Sequence, residues 1–192
     1  MPTNATAAPT ADELTVRRRH LRQRVDGAAL RRLILRALGD PVFHRATPSS
    51  PGAGPVRYQL GFHLVGAEEM ARLNREQLGH EGPTDVITLD YGPPPLARPD
   101  ECWLCGEVFI CVEVARRQAR AFRTSWQAEL ARYAVHGLLH LAGFDDRSPG
   151  QRRVMKREED RLVAALTPTA RRRRSVPRPT APGRSAVRAR AS

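Results

Sequence analysis

Apolar residues recur along the chain with two different periods, and these periods predict where strands and helices lie. Segments that alternate apolar and polar residues predict strands, whereas apolar residues three and four positions apart predict helices. The predicted strands are residues 14–20, 56–65, 86–91 and 108–112. The predicted helices are residues 29–38, 67–77, 114–122, 126–141 and 149–166. This order predicts an α+β domain in which a small mixed β-sheet is covered by helices.

Two helix starts carry capping sequences. Thr124 with Gln127 predicts a capping box in front of the fourth helix. Ser148 with Gln151 predicts another in front of the last helix, where Pro149 suits the first turn. Both signals place a helix in the C-terminal half of the chain.

Charge is spread unevenly over the 192 residues, whose formal net charge is +12. Residues 171–192 contain eight arginines and no acidic residue. We expect a flexible lead over residues 1–13, one folded domain over 14–166, and a disordered Arg- and Pro-rich basic tail over 167–192. The tail is interpreted either as an arm that contacts nucleic-acid phosphates nonspecifically or as a dispensable solvated extension.

Composition also bears on location. No segment near the N terminus joins a basic start to an apolar run, and no stretch approaches the roughly 20 apolar residues of a membrane span. We therefore expect a cytoplasmic protein without membrane association. Three cysteines fit a reducing compartment. Cys102 and Cys105 form a C-x2-C, which is interpreted as incidental thiols because no second pair completes a structural zinc site; a redox pair is the alternative.

The segment over residues 136–146 has the spacing of a metal site. His136 and His140, four apart on a predicted helix, project from one face one turn apart. Gly143 can adopt the left-handed conformation that ends the helix, so that Asp146 can supply a third ligand. Three protein ligands with an open fourth position are typical of catalytic zinc. Two ordinary helix histidines are the alternative interpretation, and Gly143 with Asp146 makes the metal interpretation the stronger one.

The residue after the first histidine argues against one class of zinc enzyme. In H-E-x-x-H proteases a glutamate at this position activates water. Here the position is Gly137. Peptide hydrolysis is therefore the weaker hypothesis.

Four linked motifs resemble the YbeY family of metal-dependent endoribonucleases, also called rRNA maturation factors. Residues 136–146 are similar to the family's H-G-x-L-H-L-x-G-[YF]-D-H. Residues 73–88, 106–110 and 155–159 are similar to its L-N-x4-G-x-D-x-P-T-D-V-L-S, G-D-I-x-I and M-x-x-x-E blocks, in the family's order. The resemblance covers about residues 14–166, and several motifs in register are far more specific than one.

The resemblance implies a single-strand-specific, metal-dependent endoribonuclease. Its expected role is rRNA maturation, including processing of the 16S rRNA 3′ end, and ribosome quality control. The expected cofactor is one Zn²⁺ ion, with another divalent metal as the alternative. The expected partners are single-stranded rRNA and the ribosome or its proteins. A metal-containing but noncatalytic ribosome-associated factor is the main alternative, and a metzincin-like metalloprotease is a weaker one.

Three residues depart from the family's pattern. Asp146 replaces its third histidine and is a harder ligand, which weakens the preference for zinc. Leu78 replaces an arginine of the loop, and His80 two residues on is the candidate phosphate contact in its place. Glu107 replaces an aspartate, with the same charge on a longer arm.

Three further candidates lie at the starts of two predicted strands. Thr84 and Asp85 precede a strand and Glu107 begins another in this interpretation, so all three border the cleft from the sheet side. Asp85 and Glu107 are candidate catalytic residues. Thr84 and His80 are candidate substrate-binding residues. Solvated turn or strand-edge positions are the alternative for the two acids.

Overall fold

Five strands and five helices make up the described part of this computed structural model, which comprises residues 12–19, 21, 24–45, 56–95, 97, 101–167 and 188–190. The strands are β1 (Glu13–Arg19), β2 (Val56–Val65), β3 (Val86–Asp90), β4 (Cys102–Cys111) and β5 (Arg188–Arg190). The helices are α1 (Gly27–Leu38), α2 (Ala67–Leu78), α3 (Val112–Phe122), α4 (Trp126–Leu141) and α5 (Pro149–Leu166).

The strands form one mixed sheet in the order β1-β2-β4-β3-β5. β1, β2 and β4 run parallel, whereas β3 pairs antiparallel with β4. The short β5 pairs parallel with β3. The predicted α+β class with a small mixed sheet is confirmed.

Helices cover the two faces of the sheet unequally. α1, α4 and α5 pack over one face around the larger core, which contains Val108 and Leu138. Successive residues of a strand point to opposite faces. Phe109 of β4 therefore lies on the other face, where it packs with Met70 and Leu73 of α2.

Two glycines allow α4 to lie close to the sheet. A Cβ atom on Gly137 would lie 2.6 Å from a methyl carbon of Val108, and one on Gly106 would lie 2.6 Å from a methyl carbon of Leu141. Contacts this short do not occur, so the helix can rest on β4 only because both positions lack a side chain.

Most predicted elements are confirmed to within about two residues, but β4 is not. The sequence predicted a strand over residues 108–112, and the structure starts it at Cys102, which pairs with Val56 of β2. The preceding prolines and Gly106 conceal this first half in the sequence. Cys102 and Cys105, three apart in a strand, point to opposite faces, which agrees with incidental thiols.

One predicted cap is wrong and the other is confirmed. Ser125, not Thr124, caps α4, because its side chain accepts a hydrogen bond from the Ala128 amide. The Thr124 hydroxyl instead donates to Glu129. Ser148 and Gln151 form the predicted capping box of α5.

The ends of the chain contribute little to the described structure. The predicted lead and basic tail lie outside the described residues, apart from residues 12–13, Thr167 and the three residues of β5. Among the described helices, none is long and apolar enough to cross a membrane.

Candidate metal centre

The last two turns of α4 bring two histidines together. His136 and His140 are 4% and 2% exposed, and their Nε2 atoms lie 3.1 Å apart. Their rings meet nearly edge to face. Both are buried because α5 packs along this side of α4, where Glu159 contacts His136.

The loop after α4 returns a carboxylate to the histidines. Gly143 has φ 88°, the left-handed conformation expected of it, and the Phe144 amide donates to the Leu139 carbonyl oxygen. The chain then turns back to Asp146. One donor atom from each of His136, His140 and Asp146 lies within 4.8 Å of the other two.

Hydrogen bonds fix the orientation of both imidazole rings. His136 Nδ1 lies 2.9 Å from Glu159 Oε2 on α5, and His140 Nδ1 lies 3.0 Å from the Phe144 carbonyl oxygen. A carbonyl oxygen and an ionised carboxylate only accept hydrogen bonds, so both Nδ1 atoms carry the proton. With both rings neutral, as metal binding requires, the Nε2 atoms present lone pairs toward each other and Asp146.

This donor set fits a divalent metal ion. The two Nε2 atoms lie 3.1 Å apart, a distance that accommodates either a shared proton or a metal ion bound by both nitrogens. Tetrahedral bonds of about 2.0–2.1 Å to zinc would separate the two nitrogens by roughly 3.4 Å, which is close to the observed distance. A carboxylate or carbonyl on the far nitrogen is also the usual support of a metal-binding histidine.

The buried carboxylate of Glu159 is balanced by its neighbours. Glu159 is 1% exposed, and its Oε1 atom lies 2.5 Å from a guanidinium nitrogen of Arg132 and 3.3 Å from Lys156 Nζ. Arg132 also contacts Asp160 at 2.6 Å. The support of His136 is thus an ion-pair network that joins α4 to α5.

Two adjacent aspartates have different environments. Burial raises the pKa of Asp146, while His136 and Arg152 oppose that rise. The Arg147 guanidinium holds the pKa of Asp145 below its usual range. Asp145 also accepts hydrogen bonds from the amides of Asp146 and Arg147. Asp145 therefore braces the loop, and Asp146 faces the histidines.

Glu107 is not brought together with the predicted ligands. It lies inside β4 rather than at its start, and it points to the face opposite Val108, which contacts α4. Its Oε1 atom lies 3.0 Å from His63 Nε2, and its Oε2 atom accepts a hydrogen bond from the Tyr91 hydroxyl at 2.7 Å. A catalytic role for Glu107 stays a prediction, and it would act on the other side of the sheet.

The other predicted residues lie around the start of β3. Asp85 is buried and accepts hydrogen bonds from the Val86 amide and the Thr84 hydroxyl. His80 is exposed beyond the end of α2. Gly106 contacts the C-terminal end of α4 and pairs with Asp90, so Thr84 and Asp85 lie at the opposite end of β3. The roles predicted for Asp85, Thr84 and His80 stay predictions.

Sequence reasoning missed the residues that hold the histidines. Glu159 was recognised only as part of a motif, although it shares a helix face with Met155, Leu162 and Val163. A carboxylate on such an apolar face is a signal of a buried, paired charge. The Phe144 carbonyl gives no sequence signal, because it acts through the backbone.

The family model and the curated relatives agree on one family. The family model described as endoribonuclease YbeY matches residues 40–167. The chain is 36% identical to an endoribonuclease YbeY of Chlorobium luteolum over 132 residues, which are 68% of this chain and 91% of that protein. It is 36% identical to the one of Parabacteroides distasonis over 107 residues, covering 56% and 70% of the two chains. A solution structure of a Thermotoga maritima protein aligns with TM-score 0.48 and 22% identity, over 80% of this chain and 89% of that chain.

Proposed function

Since this chain belongs to the endoribonuclease YbeY family, we propose that it cleaves single-stranded RNA with one divalent metal ion. The observation that carries the proposal is the group of His136, His140 and Asp146, whose donor atoms lie within 4.8 Å of one another. Family membership supports the class of reaction, and the donor set supports this location for it.

Each residue of the centre has a defined task in this proposal. His136 and His140 bind the ion through Nε2, and Asp146 offsets part of its charge. A bound divalent ion supplies Lewis acidity toward a phosphoryl oxygen and lowers the pKa of a bound water. Glu159 and the Phe144 carbonyl hold the two rings in place, so that little reorganisation is needed when substrate binds. Three protein ligands leave a coordination position for substrate or water.

Zinc is the proposed metal, with another divalent ion as the alternative. Two imidazoles suit zinc, whereas the carboxylate of Asp146 is equally suited to harder ions. The third ligand therefore widens the range of metals compared with three histidines.

The biological setting is proposed on the motif resemblance. We infer that the substrate is rRNA, including the 3′ end of 16S rRNA, that the protein works on the ribosome or with its proteins in maturation and quality control, and that it is cytoplasmic. The basic character of the chain, with net charge +12, supports a polyanionic substrate.

The close packing around Gly137 argues against the metalloprotease alternative. A side chain at this position would enter the space of the Val108 methyl groups. The glutamate that proteases carry there has no room in this fold.

The test compares metal content and RNA cleavage in variants of the centre. Wild type, His140→Ala and Asp146→Asn are loaded with Zn²⁺, Mn²⁺ or Mg²⁺, and bound metal is quantified. Each is then incubated with a labelled single-stranded rRNA fragment and with the same sequence in a duplex. We expect both variants to lose metal and to cleave the single strand at least 100-fold more slowly.

Controls separate this result from damage to the fold. His44→Ala removes a half-buried histidine of the turn Phe43–Arg45 and is expected to retain metal and cleavage. Asp146→Asn keeps the shape of the side chain, so its circular dichroism should match wild type. Metal binding by wild type without RNA cleavage would favour the noncatalytic ribosomal factor, and cleavage of casein instead of RNA would favour the protease.

A further inference from the structure

On the sheet face opposite α4, the described helices cover only one end. There, Met70 and Leu73 of α2 pack on Val65 and Phe109. Beyond that end a groove of about 640 Å³ is open. Its lining residues are Arg17, Arg18, Arg19, His63 and Glu107.

Glu107 is the acidic residue of the lining, and both of its carboxylate oxygens have a hydrogen-bond partner. Glu107 contacts His63 Nε2 at 3.0 Å and the Tyr91 hydroxyl at 2.7 Å. Burial, followed by the hydrogen bond to Glu107, raises the pKa of Tyr91 to about 12, so its hydroxyl remains a donor at neutral pH. The carboxylate is therefore fixed by partners on both sides and is not a free base.

The arginines of the lining belong to the edge strand β1. Arg17 and Arg18 are exposed, and neither has a carboxylate partner among the described residues, whereas Arg19 lies 3.7 Å from Glu69. Arg17 and Arg19 are two residues apart and share a face, about 6.6 Å along the strand. This spacing is comparable with that of successive phosphates in an extended single strand.

A glycine and an aromatic ring lie beside the lining residues His63 and Glu107. Gly61, in the interior of β2, pairs with Glu107, and a Cβ atom there would lie 3.1 Å from His63 Nε2. Gly61 thus makes room for the His63–Glu107 pair. Tyr91 is 50% exposed beside Glu107, so part of its ring is available to a stacked base.

We propose that this groove binds the phosphodiester backbone of single-stranded RNA, as a second contact on the sheet face opposite the metal-bearing helix. The inference rests on the proposed function, because it takes RNA as the substrate. Guanidinium groups donate paired hydrogen bonds to phosphate oxygens. An exposed ring next to spaced arginines is the combination that single-strand-binding surfaces use, which favours RNA over an acidic protein.

The test measures RNA binding directly. Metal-loaded full-length protein is titrated into a fluorescein-labelled 2′-O-methyl oligouridylate, whose integrity is checked on a gel, and anisotropy is recorded over a series of salt concentrations. Arg17→Glu reverses one exposed charge in the groove. Arg32→Glu reverses one exposed charge on α1, which packs on the other face of the sheet, and is the matched control.

We expect Arg17→Glu to weaken binding about tenfold or more relative to Arg32→Glu, and to reduce the slope of log K against log salt by about 1. Tyr91→Ala should weaken binding further than Tyr91→Phe, which keeps the ring. Equal binding by Arg17→Glu and Arg32→Glu would overturn the proposal, as would displacement of the RNA by polyglutamate at equal charge.

The two proposals fail in different ways. RNA binding that depends on Arg17, without cleavage by wild type, would support the groove and reject the nuclease. Cleavage by wild type, with binding indifferent to Arg17, would support the nuclease and reject the groove.

Discussion

Glu159 is a fully buried carboxylate whose two oxygens serve different partners. One faces His136 Nδ1 at 2.9 Å, and the other faces Arg132 at 2.5 Å. Removing one partner of a buried ion pair is costly, because the other charge is left without compensation. Glu159 therefore couples the stability of the α4–α5 interface to the orientation of a metal ligand.

We predict that Glu159→Gln weakens zinc binding by about 10–100-fold, because the neutral amide holds the His136 ring less firmly. Glu159→Ala should weaken it further and should lower the free energy of unfolding by about 3 kcal/mol. Chelator competition measures the zinc dissociation constant, and urea unfolding of metal-free protein measures stability.

The neighbouring residue provides the control. Glu158 pairs with Arg161 on the same helix and has no described contact with either histidine, so Glu158→Gln should leave the zinc dissociation constant unchanged. If Glu159→Gln binds zinc as tightly as wild type while losing stability, Glu159 supports the fold and not the metal ligand.

At the scale of single residues, the sequence predicts the grouping of His136, His140 and Asp146 better than it predicts the residues that hold the histidine rings. The spacing from His136 to Asp146 needs only helix periodicity and one glycine, and both are visible in the chain. The surroundings of Glu107 were not predictable, because the face to which it points depends on the pairing of β4 with β2. Its partners His63 and Tyr91 come from distant parts of the chain.

Among the elements, α4 determines how the centre sits on the sheet. Gly137 lies between the two histidines in sequence and faces Val108 and Thr88. The histidines can lie beside α5 because the adjacent position of the helix lies directly on β4. The closeness of helix and sheet is thus built into the metal motif.

We predict that Gly137→Ala lowers the free energy of unfolding by about 1–3 kcal/mol, although alanine favours a helix. The added methyl group would lie 2.6 and 2.9 Å from the two methyl carbons of Val108, so helix and strand must move apart. Thermal unfolding of the metal-free protein measures the loss.

Two further variants test this explanation. Gly150→Ala adds the same methyl group to α5, where no atom lies within 4 Å, and should be neutral or stabilising. Val108→Ala in the Gly137→Ala background should restore part of the loss, because it removes the clashing methyl groups. An equal loss in the Gly150 and Gly137 variants would rule out the close approach as the cause.

Element boundaries follow from the sequence where local signals are strong. Ser148 with Gln151 gives the start of α5, because the capping bonds are local. β4 was predicted too short, because its first half is specified by pairing with β2. Local patterns thus predict helix ends and fail where a long-range partner decides the strand.

Across the whole molecule, the arginine-rich segment over residues 171–192 is separate in sequence from the residues of the two hydrophobic cores. Neither hydrophobic core contains a described residue beyond Leu166, whereas residues 171–192 supply eight arginines. Of this segment, the structure describes only the pairing of Arg188–Arg190 with β3. Stability and polyanion binding are therefore expected to depend on different parts of the chain.

We predict that a chain ending at Thr167 unfolds at nearly the same temperature as the full chain but binds single-stranded RNA less tightly. Each phosphate contact on a single strand contributes about 0.7 to the slope of log K against log salt, so eight arginines contribute at most about 6. Anisotropy titrations over a salt series, with calorimetry on the same samples, measure both quantities.

Two results would contradict this expectation, and they differ in meaning. An unchanged slope would identify the tail as a dispensable extension, and the basic groove at Arg17 would then carry the nonspecific affinity. A large fall in unfolding temperature would show that β5 stabilises the sheet through β3, the strand whose Thr88 faces Gly137 of α4. The truncated chain would then be expected to bind metal less tightly as well, because α4 rests on that strand.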